Sequence, residues 1–375
     1  MNIIFFNSEA GDYLLLLFLL NFSVYLVFVF LILRYFKVTP KENATLRRKI
    51  SVIISAKNEE YNISGVLHSL HKQSYPKDLF EIILVDDNST DDTFLQAKAA
   101  EIANLRVLKA ENKRYPGKKG ALDIAIKHAK YDHIAVTDAD CLVSADWLKN
   151  INGMFDQGYD IITGAVLFSN PESLIGKYAS FEHYRNLLMV HSFANMGMPY
   201  SASGGNFAFT REIFEKSGGY GDTLQTLSGD DDLMVQNAIR NNARIGAMLG
   251  AGTYTFTDPP ESLREHFNRK RRHVSTSLHY SFKNQIILSL WYLSSMVVNT
   301  SLLFWVHPFI FLLPLFRYML EIVLYKRLEK SLLIDKTFGF KLSPLAIILN
   351  SLLFDLFTVY TFVSQFFVKT KWKGN

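Results

Sequence analysis

The sequence predicts an α/β domain of alternating strands and helices set between membrane-spanning helices. Uncharged apolar stretches stand near the N-terminus and again beyond about residue 284, while short β-branched runs between them alternate with segments of helical spacing. Acidic and polar clusters close those runs. With 375 residues, 49% hydrophobic and 20% charged, the chain has ample material for a core and too much apolar content for disorder. The single Cys141 excludes a disulfide framework. Thirty Phe and eighteen Tyr point toward lipid contact. The formal charge of +5 suits nucleic acid, anionic lipid or a phosphorylated ligand, and the position of the charges decides among them.

Residues 13–33 carry no charge and match the roughly 20 apolar residues that a span requires. A cleavable signal peptide fits less well, because no basic segment precedes the stretch and no small-residue cleavage site follows it. Glu9 and Asp12 lie before it; Arg34, Lys37, Lys41, Arg47, Arg48 and Lys49 lie after it, which places the following domain in the cytoplasm. Apolar density returns at 286–306, 308–325 and 342–368, with Trp291, Tyr292 and Trp305 suited to an interface and His307-Pro308 to a tight hairpin. Lys326, Arg327, Lys330, Lys336 and Lys341 repeat the cytoplasmic signature. Lys369, Lys371 and Lys373 favour a C-terminus inside, so the charged second block is expected to be re-entrant or interfacial. Arg317 and Glu321 stand one helical turn apart and neutralise each other. Asp355, deep in the last block, hints at function unless it pairs with Arg317. The expected divisions are a first span over 1–36, a cytoplasmic domain over 37–260, an interfacial segment over 261–283 and a C-terminal membrane region over 284–375.

Within the central domain, strands are expected at 49–56, 81–85, 105–109 and 133–137, and helices at 63–71, 93–103 and 120–130. Ser89, Thr90 or Asp91 suits the cap of the second helix. Such alternation implies a parallel sheet with right-handed crossovers, and ligands bind beyond the carboxyl ends of such strands. Lys57-Asn58-Glu59-Glu60, Asp86-Asp87-Asn88-Ser89 and Asp138-Ala139-Asp140 collect there. Segments 174–198 and 261–282, rich in aromatic and basic residues, read as interfacial helices. His183, His191 and His266 lack a ligand spacing and read as packing or surface residues. Basic residues flank the spans and form no aromatic-basic sheet surface, so nucleic acid is not an expected partner.

Asp138 and Asp140 place two carboxylates on one side of a turn, a set of oxygen ligands for Mg²⁺ or Mn²⁺ bridging a diphosphate. Alone the pair is weak, since Asp is common in turns. Asp86-Asp87 suits a base or ribose. Lys118-Lys119, after Pro116-Gly117, fits a phosphate near a helix start, with one of the two a solvated charge. Ser201-Ala202-Ser203-Gly204-Gly205-Asn206 permits close backbone approach through its glycines. Ser228-Gly229-Asp230-Asp231-Asp232 opens a helix; its acids either favour the dipole or include a general base for an acceptor hydroxyl.

Taken in order, Ser55-Ala56-Lys57-Asn58-Glu59, Val85-Asp86-Asp87-Asn88-Ser89, Gly117-Lys118, Asp138-Ala139-Asp140, Gly204-Gly205-Asn206 and Asp230-Asp231-Asp232 resemble the motifs of a family 2 glycosyltransferase over about 49–275. The resemblance implies a GT-A fold, a nucleoside-diphosphate sugar donor with a uridine nucleotide favoured, a divalent cation (Mg²⁺ or Mn²⁺) and inversion at the anomeric carbon. By position it implies that Glu59, Asp86 and Asp87 contact the nucleoside, Lys118 the phosphate, and Asp138 and Asp140 the metal. The base would be Asp230, counting back from Leu233, or Asp231, taking Gly-Asp-Asp as the unit. Gly204, Gly205 and Asn206 would line the acceptor side.

The order of spans is also similar to that of membrane synthases and lipid glycosyltransferases of the family, which implies an integral protein of a bacterial inner membrane with a lipid or lipid-linked acceptor. Many such enzymes carry Q-x-x-R-W before their last spans. Here Arg269 stands at Gln and Arg272-His273 at Arg-Trp, so the arginines suit diphosphate while His273, on the acceptor side, replaces the sugar-supporting Trp. Transfer of a single sugar is therefore the expected activity. A processive polysaccharide synthase is the alternative, and a non-catalytic transporter or scaffold with a retained nucleotide fold is the second.

Overall fold

The computed structural model describes residues 8–39, 44, 46–224, 226, 228–304, 308–332 and 341–368; Lys41, Trp305, His307, Lys336, Lys369, Lys371 and Lys373 of the sequence reading lie outside them. The chain runs α1 (Ser8–Tyr35), β1 (Ile50–Ala56), α2 (Ile63–His71), β2 (Phe80–Asp86), α3 (Thr93–Ala99), β3 (Leu105–Lys109), α4 (Gly117–His128), β4 (His133–Val136), β5 (Leu142–Val143) and α5 (Trp147–Asp156). It continues through β6 (Ile161–Gly164), β7 (Val166–Phe168), α6 (Leu174–Asn195), β8 (Phe207–Thr210), α7 (Arg211–Lys216), α8 (Asp232–Arg240), β9 (Ile245–Met248) and β10 (Thr255–Thr257). Four longer helices follow: α9 (Leu263–Ser277), α10 (Phe282–Thr300), α11 (Leu312–Leu332) and α12 (Pro344–Ser364).

β1, β2 and β4 form where expected because each is a β-branched run largely buried on both faces, while β3, also expected, lies at the sheet edge and is only partly buried. Val52 and Ile54 of β1 enter one apolar layer and Ile53 the other. The main sheet has the order β3-β2-β1-β4-β8-β6-β9. It is not wholly parallel: β8 runs antiparallel to both β4 and β6. The cause lies in the connection before it. After α6 the chain reaches the carboxyl edge of the sheet through 199–206 and only then enters β8, so Phe207 pairs with Val136 and Thr210 with His133. The polar loop Ser201–Asn206 is thereby delivered to the same edge as Asp138. A small sheet, β5-β10-β7, caps that side.

Asp91 fills the capping role before α3, its Oδ1 accepting from the Thr93 amide at 3.1 Å and hydroxyl at 2.6 Å. Segment 174–198 does not lie on a surface as expected. As α6 it is enclosed between the main sheet and the apolar bundle, because its aromatic residues Tyr178, Phe181, Tyr184 and Phe193 find buried partners on both sides. His191 is 1% exposed, with its ring nitrogens facing the carbonyls of Leu187 and Met248.

Among the described residues, three helices are long and apolar enough to cross a membrane: Glu9–Tyr35, Phe282–Leu303 and Pro344–Ser364. Two of them are C-terminal, where three blocks were expected. The charged second block forms the continuous helix α11, and its ionic groups turn inward while Leu315, Phe316, Met319 and Val323 face out. Arg317 bonds Glu321 at 3.1 Å and Asp355 at 3.3 Å, and Arg185 of α6 bonds Glu321 at 2.5 Å. Ser351 donates to Glu321 at 2.6 Å and Arg185 donates to Ser295 at 2.9 Å. Two cations balance two anions, so Asp355 and the Arg317–Glu321 pair are absorbed into one neutral network that also fastens α6 to the bundle.

Breaking a buried pair from one side leaves an uncompensated charge and costs about 3–5 kcal/mol. Arg185→Met is expected to lower the thermal unfolding midpoint of the purified protein sharply, and Glu321→Gln in the same background is expected to restore part of it. Circular dichroism melts in detergent check both.

Candidate active site

Strands β2, β1 and β4 are neighbours, about 5 Å apart, so the loops that follow them lie side by side along one sheet edge. The loop after β1 bends at Asn58 (φ 53°) and that after β2 at Asn88 (φ 55°), left-handed positions that Asn tolerates. Asn58 Oδ1 accepts from the Thr90 amide at 2.9 Å and ties the two loops together. Glu59 is 8% exposed, donates its amide to Thr93 Oγ1 at 2.7 Å and accepts from Asn62 at 2.8 Å. Asp86 and Asp87 are buried. Asp87 pairs with Lys113, a residue the sequence reading passed over. Asp86 Oδ2 accepts from the Ser89 amide at 3.4 Å, while Oδ1 is buried and finds no hydrogen-bond partner among the described residues.

The centre of the site is Lys118, in the first turn of α4. A cation there opposes the helix dipole, and Pro116 supplies no side-chain cap. What holds it is acid from two other elements. Its Nζ lies 2.7 Å from Asp138 Oδ1 and 2.7 Å from Asp230 Oδ2. Burial pulls the ammonium's pKa down; Asp138 and Asp230 outweigh that and hold it well above the usual lysine range. One of the two lysines was expected to be a solvated charge, and neither is: the Lys118 side chain is 11% exposed, and the adjacent Lys119 is enclosed as well. It is 1% exposed, burial pushes it down to about 8, and Nζ donates to the carbonyls of Thr223 and, at 2.9 Å, Thr226.

The three acids at the mouth of α8 divide their work. Asp231 is fully engaged with backbone: Oδ2 accepts from the Gly204 amide at 2.5 Å and Oδ1 from the Asp232 amide at 2.7 Å. Burial, with Asp232 and Asp230 beside it, pushes its carboxyl up. Asp232 is buried and accepts from the Ser201 hydroxyl at 2.5 Å and the Ala202 amide at 3.0 Å. Asp230 differs. Burial raises it, but Lys118 outweighs burial and the carboxyl lies below its ordinary value. Its carboxylate is turned toward the end of β4, where Lys118 bridges it to Asp138.

Gly204 and Gly205 are small because the cluster is tight. A Cβ on Gly204 would lie 3.1 Å from Lys118 Nζ, and one on Gly205 would lie 2.9 Å from Cys141 Sγ. Asn206 does not line an acceptor surface. It is fully buried, accepts from Trp147 Nε1 at 2.8 Å and donates to the carbonyls of Ala165 and Thr253, which makes it a pin between β6, α5 and the loop before β10.

Asp138, Asp140 and Cys141 present ligand atoms within 4.8 Å of one another. Burial, then Asp140 and Asp138, pushes the thiol up, which leaves the two carboxylates as the better candidate ligands. Hard oxygen donors fit Mg²⁺ or Mn²⁺. Of the α9 arginines, Arg272 is within electrostatic reach of Asp138, Asp230 and Asp231. Arg269 instead pairs with Glu265 on its own helix at 2.7 Å. His273 is exposed.

Helix α9 is held on α6 by Glu182, which pairs with His266 at 2.9 Å and Lys270 at 2.9 Å. Burial raises its carboxyl, but Lys270 and His266 pull it down to about 2. The folded value lies below the ordinary 4.5, so the pairing stabilises above that pH and is lost as pH falls toward 2. Glu182→Gln is expected to flatten the part of the acid-side stability loss that falls between those values. Denaturant unfolding at pH 3 and pH 7 measures the change.

Residues 51–218 match the profile described as glycosyl transferase family 2. A β-monoglucosyldiacylglycerol synthase from Nostoc sp. is 36% identical over 110 residues, 29% of this chain and 24% of the relative. A UDP-Glc:α-D-GlcNAc-diphosphoundecaprenol β-1,3-glucosyltransferase from Escherichia coli is 30% identical over 132 residues, 35% of this chain and 51% of the relative. The chain thus spans about a quarter to a half of the length of these curated relatives. A solved mannosyltransferase from Pyrobaculum calidifontis, in complex with GDP-Man and Mn²⁺, shares the fold with a TM-score of 0.54 at 20% identity, covering 94% of this chain and 99% of that one.

Proposed function

We propose, from the premise that residues 51–218 are a family 2 glycosyltransferase domain of GT-A fold, that the chain transfers one sugar from a nucleoside-diphosphate sugar to a lipid or lipid-linked acceptor at a membrane, with inversion. The observation that carries this reading is the convergence on Lys118 of one carboxylate from a strand end and one from a helix start, 92 residues apart in sequence. Support for the acceptor class comes from the three apolar helices beside the domain and from the lipid and lipid-diphosphate acceptors in the relatives' names.

In this reading Glu59, Asp86 and Asp87 receive the nucleoside, the orphaned Asp86 oxygen accepting from a ribose hydroxyl or base N–H. Asp138 and Asp140 would hold a divalent cation, which neutralises charge on the departing diphosphate when bound. Lys118 stands between them and Asp230, where its ammonium meets phosphate oxygens and keeps Asp230 ionised. Asp230 takes the proton from the acceptor hydroxyl as that oxygen bonds to the anomeric carbon; the bond from that carbon to phosphate oxygen breaks and the diphosphate leaves with the electron pair. Asp231, with both oxygens on backbone amides, fixes the Gly204 loop against α8 and is not the base. Arg272 faces the diphosphate side. A uridine nucleotide and a bacterial inner membrane with the domain on the cytoplasmic side complete the proposal.

General-base removal costs typically 10²–10⁴-fold. Asp230→Asn is expected to lose turnover to that extent with nucleotide affinity kept, whereas Asp231→Asn is expected to lose thermal stability together with any activity. Equal, mild effects of both would reduce the cluster to a helix cap. The assay is a donor screen on purified protein, reading released nucleoside diphosphate with membrane lipid extract present and absent. Radiolabel in the organic phase supports a glycolipid product, and aqueous high-mass label would support a polymer instead.

A further inference from the structure

The reaction just described leaves one set of buried polar groups without a role: those that join α8 to the beginning of α10. Gln236 is 5% exposed on α8. Its Nε2 donates to the Tyr200 carbonyl at 2.7 Å, and its Oε1 accepts from the Ser281 amide at 3.1 Å and from Asn284 Nδ2 at 3.3 Å. The orientation of the amide is fixed by chemistry, since a carbonyl demands its donor end and an amide N–H its acceptor end. Ser281 is the cap of α10, accepting from the Asn284 amide at 3.4 Å. Just before it, Tyr280 is 7% exposed, its ring centroid lies 6.4 Å from that of Tyr200, and its hydroxyl is within electrostatic reach of Asp232. At the mouth of α8, Ser228 and Thr276 share a hydroxyl hydrogen bond of 2.7 Å, and a Cβ on Gly229 would lie 2.8 Å from the Thr276 side chain.

Residues 276–284, the elbow between α9 and the apolar helix α10, therefore grip both the helix that begins with Asp230–Asp232 and the loop that carries Gly204. Packing alone would use apolar side chains here. Polar groups at this depth cost free energy unless every partner is met, and Gln236 meets partners on the loop and the span at once. A bilayer sets the depth of α10. An acceptor with an apolar tail presents its hydroxyl at a depth set by the same bilayer.

We infer that Gln236 and Tyr280 are positioning residues through which the α9–α10 elbow sets the place of the base helix relative to the membrane plane. The inference rests on the proposed transfer reaction and adds to it the element that aligns base and acceptor. Reacting atoms must come within roughly 3–3.5 Å, and a misplacement of about 1 Å can cost on the order of 10²-fold.

Gln236→Met keeps the length of the side chain and removes its hydrogen bonds. In the full-length protein in lipid nanodiscs, kcat for transfer is expected to fall about 10- to 100-fold with donor KM and nucleoside-diphosphate affinity close to wild type, while the partners left unmet lower the unfolding midpoint. A merely structural role would move donor affinity together with kcat, and that result overturns the inference, as does wild-type kcat in Gln236→Met. Should that variant fail to fold, Tyr280→Phe is read by the same criteria from the other side of the joint. Absence of transfer by the wild type with every donor would count against the proposed reaction itself, not against the joint.

Discussion

A single ammonium group organises the catalytic edge of this protein. Lys118 would be an unfavourable residue in the first turn of α4 if the helix stood alone, and Asp138 and Asp230 would repel each other without it. Brought together at 2.7 Å each, the three form a compact unit whose total charge is one negative, and they draw the end of β4, the start of α4 and the approach to α8 to one place. The absence of side chains at Gly204 and Gly205 follows from the same crowding. Asp231 and Asp232 then tie the glycine loop to α8 by accepting its amides and the Ser201 hydroxyl.

The site also depends on a strand that runs the other way. Had β8 been parallel, its preceding loop would have emerged at the amino edge of the sheet, away from the acids. The long α6 makes the reversal possible. It passes between sheet and bundle, held near its middle by Glu182, which pairs with α9, and by Arg185, which pairs with Glu321, before returning the chain to the carboxyl edge. Packing of α6 against membrane helices and placement of the Ser201–Asn206 loop are thus one structural fact, and the ties from α8 to the start of α10 extend it.

Much of this was legible in the sequence because the responsible signals are local. β-Branched runs ended by acids read correctly as β1, β2 and β4, and the charge-free stretches read as long helices. Lys118, Asp138 and Asp230 were picked out by residue type and place. What escaped was set by distant parts of the chain. The direction of β8 follows from α6 and not from Phe207–Thr210. The strands β6, β7, β9 and β10 are too short to show a period of their own. Arg185 gave no sign of belonging with Glu321, 136 residues away, and Lys119 looked like a surface charge because its carbonyl partners lie over 100 residues downstream. Asn206 sat in a motif of functional appearance, yet Trp147 and two carbonyls claim its amide. Spacing left Asp230 and Asp231 equivalent; the two backbone amides on Asp231 are a tertiary feature that distinguishes them and favours the proposal of Asp230 as base.

The convergence of metal-binding and proton-accepting carboxylates on one pocket is tested most directly by electron paramagnetic resonance of Mn²⁺ titrated into the purified protein with a nucleoside diphosphate. The account predicts a bound-metal signal that disappears in Asp140→Asn and persists in Asp230→Asn, since only the first belongs to the oxygen pair at the end of β4. An undiminished signal in Asp140→Asn would contradict it.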